Sequence, residues 1–322
     1  MKYRSIPGTD LYPSSICLGT GLMGSTIDRE HSFQLLDTLV EMGGNFIDTA
    51  HVYGDWVPGG KSLSEKTIGI WAKERGIRNR VMIGTKGAHP ALSSMSIPRL
   101  SHREIVNDLD ESLEYLQTEY VDLYWLHRDD PNRPVADILE TLNEQVAAGK
   151  IRYFGCSNWR VQRIREAMRY ASEHGLKCFV GNQMMWSLAV PNIDAIGDKT
   201  IVMMNEEGME FHRKTHLAVT PYSSQAKGFF TKLDRGDITQ LTEAVRKTYY
   251  NQENMKRLKR VQKLAHDLSR SVTEIVLSYL ISQPFVTIPI VGCRTVEQLT
   301  ESLRSESLVL DPDMVRYLEE GD

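Results

Sequence analysis

The chain has 322 residues, 41% hydrophobic and 25% charged, with a formal net charge of −4. That length suits one large α/β barrel as well as two smaller domains, its core needs no disulfide or metal staple, and the mild acidity offers nucleic acid no electrostatic footprint. No apolar run reaches the roughly 20 residues that span a bilayer, and Met1-Lys2-Tyr3-Arg4-Ser5-Ile6-Pro7-Gly8 lacks the apolar core of a secretory leader, so a cytoplasmic protein is expected, with no nucleic-acid or membrane partner.

Residues 1–14 read as a short β-hairpin with Pro7-Gly8 at its turn. Ile16–Gly19 is the first strand expected. A helix over Glu30–Glu41 follows, with Phe33, Leu36, Leu39 and Val40 on one face. Asn45–Asp48, after Gly43-Gly44, is the second strand. Ser62-Leu63-Ser64-Glu65 has the spacing of a capping box and predicts a helix beginning there. Arg80–Lys86 reads as a third strand, and Ile105, Leu109, Leu113 and Leu116 fall at helical spacing after Ser101. Tyr120–His127 is a fourth strand, and Lys150–Gly155 a fifth behind the helix stop Gly149. Phe179–Asn182 and Leu217–Thr220 are the sixth and seventh. The long polar stretch from Ser224 to Asn254 is expected to hold a helix near Asp237–Tyr249. An apolar helix over Thr273–Ser282 precedes the eighth strand, Thr287–Ile290.

Strands alternating with helices predict a parallel sheet. For eight such units, closure into a (β/α)8 TIM barrel is more economical than a doubly wound sheet, although periodicity alone accommodates both. The expectation is a single domain over residues 1–322. Cys17, Cys156, Cys178 and Cys293 lie far apart with no CxxC spacing, which argues for reduced thiols and no metal site.

The chemistry gathers at strand ends. Asp48 closes the second strand and Tyr53 follows in the next loop; Lys86 closes the third strand and His127 the fourth. In a barrel these ends converge on one face. Reducing a carbonyl requires a hydride at carbon and a proton at oxygen. A lysine ammonium beside a phenol stabilises the phenolate left behind when the proton departs. In this reading Tyr53 is the acid, Lys86 its electrostatic support, Asp48 the group that holds Lys86, and His127 the group that orients the carbonyl oxygen.

The segment Asp48-Thr49-Ala50-His51-Val52-Tyr53-Gly54 resembles a signature of the aldo-keto reductases. Leu123-Tyr124-Trp125-Leu126-His127, Gly149–Asn158 and Pro289–Leu299 are similar to three more, in family order, across nearly the whole chain. The resemblance implies a barrel that binds NADP(H) and reduces an aldehyde or ketone. It implies that Ser157, Asn158 and Gln183 hold the nicotinamide carboxamide, and that Tyr222 stacks on the ring. Ser223, Gln225, Lys227 and Gly228 would lie along the pyrophosphate. Gly292, Arg294, Thr295 and Gln298 would meet the adenosine end, with Arg294 on the 2′-phosphate favouring NADP through a charge-assisted contact.

The sequence departs from the family pattern at Asp55–Gly60, a longer link than usual, and at Met184–Asn192. Ser302 stands where an Asn often holds adenine. Both longer segments fall on the substrate side. Trp56, Trp125 and Trp186 are expected to line the pocket mouth, which suits a sugar-derived or otherwise polar carbonyl. A barrel metal-hydrolase is disfavoured by the lack of a His-x-His at an early strand. A sensing module that binds NADPH with little turnover remains the alternative.

Overall fold

The computed structural model describes residues 1–236 and 238–321. The β-branched and apolar runs form eight parallel strands among the described residues: β1 (Cys17–Gly19), β2 (Phe46–Asp48), β3 (Met82–Gly87), β4 (Val121–Leu126), β5 (Ile151–Ser157), β6 (Gly181–Gln183), β7 (Ala218–Val219) and β8 (Ile290–Val291). From β1 to β7, sequence neighbours are sheet neighbours, and β8 pairs with β1. The remaining seam is closed by backbone hydrogen bonds. Val219 N–H donates to the Val286 carbonyl at 2.8 Å, Ile288 N–H to Val219 at 2.9 Å, and Ile290 N–H to Pro221 at 3.0 Å. The segment leading into β8 therefore touches β7 as well as β1, and the sheet is a closed (β/α)8 barrel. Helices cover its outer face, which is why β4 is buried at every position and apolar at all but Asp122.

The N-terminal hairpin is present. Tyr3 bridges Ser14 in antiparallel sense, and Arg4 N–H donates to Pro13 while Ile6 N–H donates to Leu11. Ile6 and Leu11 are buried in one cluster with Cys17, Phe46, Leu123, Trp125, Ala218 and Ile288. Several of these residues open their strands, so the hairpin plugs the end of the barrel opposite the strand C-termini.

Trp125 corrects one expectation. It is 0% exposed and lies inside the barrel, not at the pocket mouth. A Cβ on Gly155 would sit 2.3 Å from its ring, and one on Gly181 3.1 Å away. Two neighbouring strands are thus bare of side chains where the indole crosses the barrel, and it fills the space they leave.

The proposed capping box at Ser62 also fails. Ser62 adopts left-handed backbone angles with φ 49°, and its hydroxyl donates to the His51 carbonyl at 2.6 Å. The helix Leu63–Arg75 still begins after it, but Glu65 turns inward and accepts a 2.5 Å hydrogen bond from Thr85 Oγ1. Genuine capping boxes form at Ser101 with Glu104 and at Ser271 with Glu274. Before β3, Arg78–Arg80 form a 3-10 turn in place of the first strand residue expected. In the long polar stretch the helix is Glu243–Tyr249, behind a short turn at Ile238–Gln240 and the helix Phe229–Asp234. Asp237, where the helix was expected to start, lies outside the described residues. All four cysteines are free. No described helix is long and apolar enough to cross a membrane.

Candidate active site

The parallel register places three of the four predicted catalytic groups close to one another. Asp48 pairs with Gly84 on β3, and Lys86, two residues further along β3, pairs with Trp125 on β4. Alternate residues of a strand share a face, so Gly84 and Lys86 both point inward, as do Trp125 and His127.

Lys86 Nζ uses its three protons on three acceptors. It donates to Asp48 Oδ1 at 2.5 Å, to the Thr49 carbonyl at 2.7 Å and to Tyr53 Oη at 3.1 Å. Lys86 and Asp48 are each 2% exposed. Burial works against the ammonium, but the Asp48 carboxylate and Tyr53 outweigh it and hold Lys86 above its ordinary range. The other Asp48 oxygen accepts from Gln183 Nε2 at 2.6 Å, so β6 also braces the carboxylate.

His127 packs edge-on to Tyr53, with ring centroids 5.9 Å apart. Burial, followed by the neighbouring His89 and Lys86, drives its imidazole well below the usual range, so the ring is neutral near pH 7. Its Nδ1 is buried without a partner. All four catalytic candidates therefore meet in one place.

The proposed cofactor residues divide into two groups. Ser157, Asn158 and Gln183 are buried at the ends of β5 and β6. Tyr222 joins them by donating from its hydroxyl to Asn158 Oδ1 at 2.6 Å. Asn158 Oδ1 also accepts from Val202 N–H, and its amide donates to Ser157 Oγ. Gln183 Oε1 is buried with no partner among the described residues, an acceptor waiting for a donor.

The second group begins with Ser223 and Lys227, which have left-handed backbones with φ 54° and 56°. Gln225 Nε2 donates to Ser302 Oγ at 3.0 Å, and Ser302 donates to the Gln298 carbonyl. The serine that replaces the family's Asn thus links the Gln225 loop to the helix Val296–Arg304. That helix is capped by Thr295, whose Oγ1 accepts from Gln298 N–H. Gln298 Oε1 in turn accepts from Arg294 N–H at 2.9 Å. Arg294 is exposed and has no ion pair among the described residues, and Gly292 has open space where a Cβ would stand.

Of the tryptophans, only Trp56 fits the mouth. It is 47% exposed, with its ring centroid 6.2 Å from that of Tyr53. Trp186 is only 8% exposed; it stacks on Phe285 and meets Tyr279 edge-on, within the core formed with the outer helices. Like Trp125, it is a packing residue.

Sequence reasoning missed three contributors. The Thr49 carbonyl leaves no side-chain signal. Arg128, next to His127, donates to Asp198 Oδ2 and Thr200 Oγ1 and pins the loop after β6; an arginine beside a catalytic candidate was the available clue. His89, three residues past Lys86, packs on His127 with centroids 4.6 Å apart. No group of three or more potential metal ligands occurs among the described residues.

The sequence model of the Aldo/keto reductase family matches residues 15–322. The chain is 29% identical to an uncharacterised oxidoreductase, YrpG, of Bacillus subtilis, an alignment covering 99% of this chain and 95% of that one. It is 28% identical to an aryl-alcohol dehydrogenase (NADP(+)) of Phanerodontia chrysosporium, covering 98% and 85%. It is 26% identical to norsolorinic acid reductase B of Dothistroma septosporum, covering 99% and 81%. With a closed barrel, Asp48, Lys86, Tyr53 and His127 gathered in one place, and a family match over all but the first 14 residues, the chain belongs to the aldo/keto reductase family.

Proposed function

We propose that this protein reduces an aldehyde or ketone to the alcohol with NADPH, Tyr53 supplying the proton. The observation that carries the reading is the Lys86 ammonium donating to Tyr53 Oη at 3.1 Å while anchored on Asp48 at 2.5 Å.

The residues fit the cofactor. Gln183 Oε1 is a buried acceptor without a partner among the described residues, suited to the N–H of a carboxamide, and Ser157 is the register partner of Gln183 across β5 and β6. Asn158, whose amide is already paired, braces Tyr222, the residue for the nicotinamide ring. Ser223, Gln225, Lys227 and Gly228 would follow the pyrophosphate. Gly292, Arg294, Thr295 and Gln298 would hold the adenosine, with the unpaired Arg294 on its 2′-phosphate. When bound, NADPH supplies the hydride that reaches the carbonyl carbon.

The chain supplies the rest. A neutral imidazole carries one proton. On Nδ1 it would be a buried donor without a partner, so it belongs on Nε2, free to donate to the carbonyl oxygen. Tyr53 donates to the same oxygen and releases its proton as negative charge develops there. The phenolate left behind keeps the hydrogen bond from Lys86, whose charge is fixed in place before reaction, so little reorganisation is required. Trp56, beside Tyr53, offers an aromatic face to the substrate. That suits a flat ring of the kind named by the aryl-alcohol dehydrogenase relative as well as the C–H face of a polar carbonyl compound.

The test is NADPH oxidation by purified protein over aromatic aldehydes, simple ketones and keto-sugars, with NADPH binding measured calorimetrically in the same sample. Turnover of any carbonyl is expected. Tight binding with no turnover on the panel would replace this reading with that of a cofactor-sensing module. Tyr53→Phe should lose about 10²–10⁴-fold in turnover while binding NADPH as before; undiminished turnover would move the acid elsewhere.

A further inference from the structure

His89 has no part in the proton transfer above, yet it belongs to the same cluster of rings. It follows Lys86-Gly87-Ala88 at the end of β3 and meets His127 edge-on at 4.6 Å and 65°. Its backbone is anchored, since Arg99 Nη1 donates both to the His89 carbonyl at 3.0 Å and to Asp108 Oδ2 at 3.1 Å.

The anchor also fixes the tautomer. His89 Nδ1 lies 2.7 Å from the Pro90 carbonyl oxygen. A carbonyl only accepts, so Nδ1 carries the proton. Burial, with the Arg128 guanidinium second, lowers the affinity of His89 for another proton, against the smaller pull of Asp198. Nε2 is therefore an unprotonated acceptor. It has no hydrogen-bond partner among the described residues, and the His89 side chain is only half-buried.

The site thus carries two kinds of group. Tyr53 and His127 both donate, which suits the carbonyl oxygen. His89, against His127, accepts. A substrate that is only a carbonyl leaves that acceptor to water. A hydroxyl on a carbon next to the carbonyl is the group such an acceptor would take.

We propose that His89 is a specificity-determining residue whose Nε2 accepts a hydrogen bond from a hydroxyl beside the reacting carbonyl, so that the site prefers hydroxy-substituted carbonyl compounds. The assignment rests on the carbonyl-reduction reading above. Its size is bounded by access. An enclosed acceptor left unpaired would reject the wrong substrate very strongly. Water can reach Nε2, so the preference is that of one net hydrogen bond, about tenfold.

The experiment uses matched pairs of ketones in which a methyl group replaces the hydroxyl proton: phenacyl alcohol with its methyl ether, and hydroxyacetone with methoxyacetone. Values of kcat/KM are measured with NADPH for the wild-type protein, His89→Leu and His89→Gln. Wild type should favour the hydroxyl member of each pair by about tenfold. His89→Leu should bring the ratio to about one, whatever rate both members lose together, and His89→Gln, which keeps an acceptor, should restore part of it. A merely structural role would slow both members alike and leave the ratio standing. Equal wild-type rates within the pairs, or a ratio that survives in His89→Leu, would overturn the assignment and leave carbonyl reduction intact. No turnover of any of the four compounds while an aromatic aldehyde is still reduced would overturn this assignment alone, and no turnover of any carbonyl would sink the reduction reading with it.

Discussion

The Lys86–Asp48 pair does two jobs that can be separated. Lys86 supports Tyr53 in the proposed reaction, and it neutralises a carboxylate held inside the barrel at 2% exposure. Removing one partner of a buried pair leaves an uncompensated charge, whereas removing both can be nearly neutral. Lys86→Met should therefore cost about 3–5 kcal/mol in stability, measured by denaturant unfolding, along with most activity. Adding Asp48→Asn should return much of the stability and none of the turnover. If Lys86→Met unfolds at the wild-type denaturant concentration, the pair carries no stabilising coupling. The gathering of Asp48, Lys86 and His127 was legible in the sequence because each sits at the end of an apolar run, where barrel topology brings them together. Three kinds of contribution were not legible. The Thr49 carbonyl has no sequence signature, and His89 acquires meaning only through its distance from His127. Trp125 and Trp186 look like pocket aromatics on composition, but strand register and outer-helix packing bury both.

At the scale of elements, the helix Leu63–Arg75 docks on β3 through a carboxylate. Glu65 is fully buried, accepts from Thr85 Oγ1 at 2.5 Å, and leaves its second oxygen without a partner. Burial raises its pKa from 4.5 to about 7, against the Thr85 hydrogen bond and the nearby His51 charge. Below about pH 4.5 the group is protonated in both folded and unfolded chains and contributes no pH dependence. Between 4.5 and 7 the folded chain keeps a proton that the unfolded chain has lost, so stability falls as pH rises, and above 7 the penalty is constant. Glu65→Gln keeps an acceptor for Thr85 and removes the charge. Its stability relative to wild type should rise by on the order of 3 kcal/mol between pH 5 and pH 8, read from paired denaturant melts. A difference that stays flat across that range would mean Glu65 is not titrating there. The sequence showed a helix at this point, but it assigned Glu65 to a capping box. The competing demand was tertiary: the His51 carbonyl took the Ser62 hydroxyl, and Thr85 took the carboxylate. Where no such rival existed, at Ser101 and Glu104, the same spacing did produce a capping box.

Across the whole molecule, the barrel interior is layered. The hairpin residues Ile6 and Leu11 close one end, Trp125 crosses the middle, and the candidate catalytic groups stand above it at the other end. The indole is tightly cradled: a Cβ on Gly155 would lie 2.3 Å from its ring and 2.8 Å from the Gly181 carbonyl, which is backbone and cannot swing away. Gly155→Ala should cost about 1–3 kcal/mol or more by overpacking. Pairing it with Trp125→Phe should recover part of that loss, since the smaller ring yields the space; equal penalties in both backgrounds would show that the clash with the Gly181 backbone dominates. Closure also links the chain's extremes, because the segment Val286–Ile290 bonds to β7 on one side and to β1 on the other. Among the described residues no strand edge is left where one half could separate with its hydrogen bonds intact. We therefore expect the chain to behave as one domain. Calorimetry should show one endotherm that coincides with loss of tryptophan fluorescence, and both Gly155→Ala and Leu11→Ala should move it downward without splitting it. Two endotherms, with only the lower one shifted by these core changes, would mean that the barrel melts in separable halves despite the closed seam.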